Sequence, residues 1–120
     1  MAHKATFMFL QNPRNELSDH FLGFANPTRL RILQRLGEIG EVNVSELAEH
    51  LRMSQPRISW HVRMLRLGGV IQVRRDGRQV WCSLDVENIR RSRERLDQML
   101  GITPSTQNAH RAKVREEVGA

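Results

Sequence analysis

Apolar residues recur at helical spacing in four successive stretches before the pattern changes to strand-like runs. Asn15 to Gly23 carries Leu17, Phe21 and Leu22 on one side and predicts a short helix. Asn26-Pro27 is a start signal, because asparagine caps free N–H groups and proline suits the first turn. Leu30, Ile32, Leu33 and Leu36 continue that helix to an expected stop at Gly37. Glu38 to Asn43 reads as a connector. Ser45 is the expected cap of a third helix, with Leu47, Ala48 and Leu51 facing inward and Arg52-Met53 as its stop. Ser54-Gln55-Pro56 opens a fourth helix running to Leu67, where Gly68-Gly69 ends it. Two β-prone runs, Val70 to Arg75 and Arg78 to Leu84, then flank Asp76-Gly77, a hairpin signal. Asp85 caps a last helix through Leu100, striped with Val86, Ile89, Leu96, Met99 and Leu100 and stopped by Gly101. The predicted fold is α+β, mainly α: a winged helix-turn-helix of five helices and a two-stranded β-hairpin wing. Residues 1–14 read as an N-terminal extension, 15–100 as the domain, and 101–120 as a polar, partly disordered tail.

The fourth helix carries the chemistry. At about 100° per residue, Ile58, Val62 and Leu65 lie within roughly 60° of one another and form a buried stripe. Pro56, Trp60, Arg63 and Leu67 stand opposite, with Arg57, Ser59 and Met64 on the flanks. Charge follows the same map. The chain has formal charge +6, and the segment from Arg52 to Trp81 holds seven arginines against the single acid Asp76. Elsewhere twelve basic residues balance twelve acidic ones. A positive excess gathered on one helix and the adjoining hairpin suits a polyanion.

Duplex DNA fits this arrangement residue by residue. Arg57 or Arg63 can pair with guanine and Gln55 with adenine, while Ser54 caps that helix and Ser59 lies on its flank. Trp60 can stack on a sugar or meet a thymine methyl, the alternative being packing against the wing or a second copy. His61 reads either as a structural, hydrogen-bonded histidine or as a phosphate contact. Arg74, Arg75 and Arg78 crowd the hairpin turn, where a backbone or a narrow minor groove would relieve their mutual repulsion. Of Val80 and Trp81, which alternate in facing, one belongs to the core. A basic helix face suits the B-DNA major groove better than the deep, narrow groove of RNA.

Length and composition narrow the remaining classes. A chain of 120 residues has room for one modest core. Its apolar runs are far short of the ~20 residues needed to span a bilayer, and Met1-Ala2-His3-Lys4 is unlike a secretion signal. Cys82 is the single cysteine, which excludes an internal disulfide and reads as a small buried hydrophobe. A cytoplasmic setting is expected. No glycine-rich phosphate loop, HExxH or Gly-x-Ser-x-Gly occurs, so an enzyme is not expected.

Two segments resemble a known family. Phe24-Ala25-Asn26-Pro27-Thr28-Arg29-Leu30-Arg31-Ile32-Leu33 is similar to the "LANPTRLRIL" helix of ArsR-type (arsenic-repressor-like) bacterial regulators. Met53-Ser54-Gln55-Pro56-Arg57-Ile58-Ser59-Trp60-His61-Val62-Arg63-Met64-Leu65 resembles that family's recognition segment "LSQPTVSHHLKVL", and Gly69-Val70-Ile71 follows in place. The resemblance covers residues 15–100 and implies a winged-helix homodimer, pairing through its first and last helices. Leu17, Phe21, Ile89, Leu96, Met99 and Leu100 are the expected interface residues, with Phe7 and Phe9 upstream. The resemblance further implies repression at an imperfect palindromic operator until an effector or partner releases it, with recognition helices roughly 34 Å apart. This chain departs where metal-sensing members hold their ligands. Asn43 and Ser45 stand in place of a Cys-x-Cys, and the last helix offers Asp85, Glu87, Glu94 and Asp97 without a histidine. No metal site and no cofactor are therefore expected, a terminal site at His3 being the one residual idea. The alternative reading is a protein-interaction module, against which the arginine-rich wing argues.

Overall fold

The computed structural model describes residues 16–104 and 113–115. In chain order these form α1 (Glu16–Phe24), α2 (Pro27–Ile39), β1 (Glu41–Asn43), α3 (Val44–Leu51) and α4 (Gln55–Leu67). The hairpin β2 (Ile71–Asp76) and β3 (Gln79–Leu84) follows, and then α5 (Val86–Leu100). The expected caps at three helix starts are made. Asn26 accepts from the N–H groups of Thr28 and Arg29, Ser54 from that of Arg57, and Asp85 from that of Asn88.

Several local expectations need correction. Residues 41–43, read as connector, form a strand that pairs antiparallel with β3, so the sheet is three-stranded in the order β1-β3-β2. A three-residue strand is too short to announce itself by periodicity, and only its partner defines it. Because β1 runs straight into α3, the cap there is Asn43, whose side chain accepts from Glu46 N–H at 2.7 Å, and Ser45 lies within the first turn. The second helix passes through Gly37 and stops at Gly40, which takes φ +100°. The hairpin turn also sits one residue later than expected. Asp76 pairs with Gln79, leaving Gly77 (φ +62°) and Arg78 as the two loop residues.

One core joins all these elements. Ile32, Leu36, Val42, Leu47, Ile58, Leu65, Val70 and Cys82 are essentially solvent-free, drawn from α2, the inner face of the sheet, α3, α4 and the turn after it. The inner face is set by the pleat. Val42, Cys82 and Val73 are cross-strand partners facing the helices, and Ile71, Arg75, Val80 and Leu84 share their side. Behind α4, the chain is locked by Gly68. A side chain there would meet the Asp19 carbonyl oxygen at 2.7 Å, so α1 approaches as closely as backbone permits. His20, buried, closes the contact by donating from Nδ1 to Gly68 O at 2.9 Å. The next residue, Gly69, has φ +69° and accepts from Asn88 Nδ2 at 2.7 Å, which pins the start of α5. Among the described residues no helix is long and apolar enough to cross a membrane.

Candidate nucleic-acid interface

The fourth helix buries Ile58, His61, Val62 and Leu65 against the core and presents the rest of its circumference outward. Pro56, Arg57, Ser59, Trp60 and Arg63 are exposed, as are Ser54 and Gln55 at its start. Gln55, Ser59, Arg63 and Arg66 lie on the flank nearest the wing, across a groove from Arg75 and Arg78. Gln55 Nε2 donates to Ser45 Oγ at 2.8 Å, which ties the start of α4 to the first turn of α3. Arg66 and Ser45 are additions that the sequence reading passed over. Helical spacing does put Arg66 beside Ser59, but Ser45 reaches the groove only because α3 begins at Val44.

The electrostatics of this surface are one-sided. Among the described residues, Arg57, Arg63, Arg66, Arg75 and Arg78 take part in no ion pair, although ion pairs form elsewhere at Arg35, Arg74, Arg91 and Arg95. Like charges held near one another without counter-charges repel, and a polyanion laid across them removes that cost.

Arg74 lies elsewhere, and His61 takes the structural one of its two readings. His61 is 4% exposed and turned into the protein, where its Nδ1 accepts from Arg29 Nε at 3.3 Å. Burial holds its pKa below the ordinary histidine value, and the charges of Arg29 and Arg57 push the same way. Buried and hydrogen-bonded to Arg29, the imidazole is a structural element of the fold. Arg74 belongs to the outer face of the sheet, because the pleat sends it opposite to Arg75. There its Nη2 donates to Glu41 Oε1 at 2.7 Å, and its guanidinium carbon lies 5.7 Å from the Trp81 ring centroid. That hydrogen bond holds the Glu41 carboxyl below its usual range. Val80 is thus the inward member of the Val80–Trp81 pair, and Trp81 lines the outer face.

The expected pairing residues divide in a similar way. Leu17 is buried within the chain at 7% exposure, packed inward from α1. Phe21, Ile89 and Leu96 are half-buried, while Met99 and Leu100 are exposed. Apart from Ser92, no residue of α5 is fully buried by this chain alone; Ile89 packs against the core, whereas Val86, Met99 and Leu100 stay exposed. Phe7, Phe9 and His3 lie outside the described residues, as does most of the tail.

Cys82 has no exposed surface, and its thiol is pushed up to about 11, chiefly by burial and secondarily by Glu41. Among the described residues no three histidine, cysteine, aspartate or glutamate side chains converge to hold a metal ion. Asn43 and Ser45 are already engaged, the first in capping α3 and the second in accepting from Gln55.

Helix α3, a tight turn, an outward-facing helix α4 and a basic hairpin beside it make this a winged helix-turn-helix protein. Comparison with known proteins agrees. Residues 26–73 match the family described as bacterial regulatory protein, arsR family. The transcriptional repressor SdpR of Bacillus subtilis is 33% identical over 69 residues, covering 58% of this chain and 76% of the repressor. The arsenical resistance operon repressor of Escherichia coli is 43% identical over 56 residues, covering 47% of this chain and 48% of that protein. Among solved structures, a homodimeric winged helix-turn-helix DNA-binding domain from Mycobacterium bovis, a possible ArsR-family transcriptional regulator, superposes with a TM-score of 0.60. It is 25% identical and covers 77% of this chain and 83% of that one. Several of the leading curated relatives are matched over only about half of their own length. The chain belongs to the arsR family of bacterial regulatory proteins.

Proposed function

We propose that this protein is a transcriptional repressor that binds duplex DNA as a homodimer, entering the major groove with α4 and tracking the backbone with its wing. The observation that carries this reading is the set of five arginines gathered on α4 and the hairpin tip without ion-pair partners among the described residues, while outside the segment from Arg52 to Trp81 basic and acidic residues are equal in number. Arg57, Trp60 and Arg63 are the candidate base readers, with Gln55 and Ser59 on the wing-side flank. Ser54 caps the helix and lies at the phosphate-facing end, while Arg66, Arg75 and Arg78 supply backbone contacts. His61 and Arg74 leave this group, since the first is buried and the second is neutralised by Glu41.

Pairing through α1 and α5 is supported by the exposed Met99 and Leu100, by the half-buried Phe21 and Leu96 beside them, and by the homodimeric state of the similar Mycobacterium bovis domain. Two-fold symmetry then calls for an imperfect palindrome as operator. The protein acts by binding and not by catalysis, on DNA in the cytoplasm, and the residues at the family's metal positions leave release to a different effector or partner. Selection of genomic fragments by the purified protein, followed by footprinting, tests the reading. A protected, two-fold related site is expected, and equal retention of all fragments would contradict sequence-specific repression.

A further inference from the structure

From the contacts around Arg29 we infer that this α2 residue is a positioning residue for sequence reading, its buried guanidinium fixing the Trp60 indole on the outer side of α4. The inference rests on the reading of α4 as the helix that meets DNA. Arg29 is 7% exposed and has no ion-pair partner among the described residues. A buried cation without a counter-ion is costly and needs directional partners. Three are present. Nε donates to His61 Nδ1 at 3.3 Å, and Nη1 donates to the Leu22 carbonyl in the last turn of α1 at 3.0 Å. The guanidinium carbon lies 5.3 Å from the Trp60 ring centroid.

These contacts act on Trp60 from two sides. Arg29 holds its face, and the His61 ring meets it edge-on at 5.0 Å and 70°. Even so, Trp60 remains 51% exposed to solvent. An aromatic reader on a bare helix surface would sample several rotamers and lose that freedom on binding, whereas a ring already held binds without that loss. The planar guanidinium matters here, because it donates in two directions while stacking on an indole; a lysine ammonium is a compact, strongly hydrated charge with no such plane. Nδ1 accepts only from a neutral imidazole, the form that burial of His61 favours by lowering its pKa. Its place in the candidate constellation is therefore beneath the reader.

The test uses the full chain with Trp81→Phe, which leaves Trp60 as the single tryptophan. Affinity is measured for a selected operator duplex and a random duplex of equal length across a salt series, for Trp60→Ala, Arg29→Gln, Arg29→Lys and the double variant Arg29→Gln/Trp60→Ala. Trp60→Ala is expected to lower the operator-to-random ratio by about tenfold. Each Arg29 variant is expected to lower it in the same direction, to leave the salt slope unchanged, and to increase acrylamide quenching of Trp60. The double variant should be no worse than Trp60→Ala alone, as expected when one residue acts through the other. Thermal melts accompany each variant, and should Arg29→Gln fail to fold, Arg29→Lys, paired with Trp60→Ala in its own double variant, carries the comparison. Losses that add in the double variant, or a salt slope that falls by about one on changing Arg29, would overturn the inference. An unchanged ratio in Trp60→Ala would overturn it too, while leaving DNA binding intact; a parent protein that binds neither duplex would instead bring down the functional reading beneath it.

Discussion

Arg74 and Arg75 are neighbours in the chain, and the pleat of β2 gives them opposite surroundings. Arg75 shares the inner face with Val73 and Val80 and looks across the groove to α4. Arg74 stands on the outer face over Trp81, its charge met by Glu41 at 2.7 Å. Two residues of the same type, one position apart, thus differ in the property that matters for binding a polyanion: whether their charge is already satisfied. Arg78 belongs with Arg75, because the turn centred on Gly77 and Arg78 leaves it exposed at the tip without an ion pair among the described residues. The lesson is that local charge density marks a surface, and pairing within the fold decides which members of it remain available.

The most severe challenge to that contrast is charge reversal. Arg75→Glu/Arg78→Glu is expected to lower affinity for all duplexes on the order of a hundredfold at moderate salt, since two favourable phosphate contacts become repulsive. Fluorescence anisotropy with labelled duplex measures it, and a loss confined to the operator would move these residues into base reading. Next in size, Trp60→Ala should cost ~1–3 kcal/mol of discrimination between operator and random sequence, with its affinity for random DNA nearly kept. Arg66→Ala should weaken binding only a few-fold and reduce the salt slope by about one. That outcome would add Arg66 to the groove on functional grounds, and an unchanged slope would remove it.

The smallest effect belongs to the outer face. Glu41, held below the usual carboxylate range by Arg74, stabilises the fold at pH values above its unfolded pKa. That contribution disappears as pH falls through the lowered folded value, and it is modest because both side chains are exposed. Melting temperature followed from neutral to acid pH should therefore fall slightly less steeply in Arg74→Ala than in the parent. A DNA affinity reduced as much by Arg74→Ala as by Arg75→Ala would erase the distinction between the two faces.

What the sequence made legible follows from the range over which each signal acts. Helix starts were readable because caps are local: Asn26, Ser54 and Asp85 each bond within their own first turn. The face of α4 was readable for the same reason, as 3.6-residue periodicity separates Ile58, Val62 and Leu65 from Trp60 and Arg63 without outside help. Failures came where a distant partner decides. Strand β1 exists through its pairing with β3, and it moved the cap of α3 from Ser45 to Asn43. The fate of Arg74 depended on Glu41, thirty-three residues away; for His61 the choice between its two readings fell to the structural one through Arg29, thirty-two residues away. Leu17 shares the apolar face of α1 with Phe21, and only the packing of α1 against its neighbours shows that Leu17 is consumed within the chain.

The most direct test is the slope of log affinity against log salt concentration for one duplex and three proteins: parent, Arg75→Ala/Arg78→Ala and Arg74→Ala. The slope should shrink by nearly two in the double variant, at ~0.9 for each phosphate no longer engaged, and stay at the parent value in Arg74→Ala. Identical slopes in all three proteins, or an equal fall in Arg74→Ala, would contradict the claim that unpaired arginines on α4 and the inner wing form the DNA-binding surface.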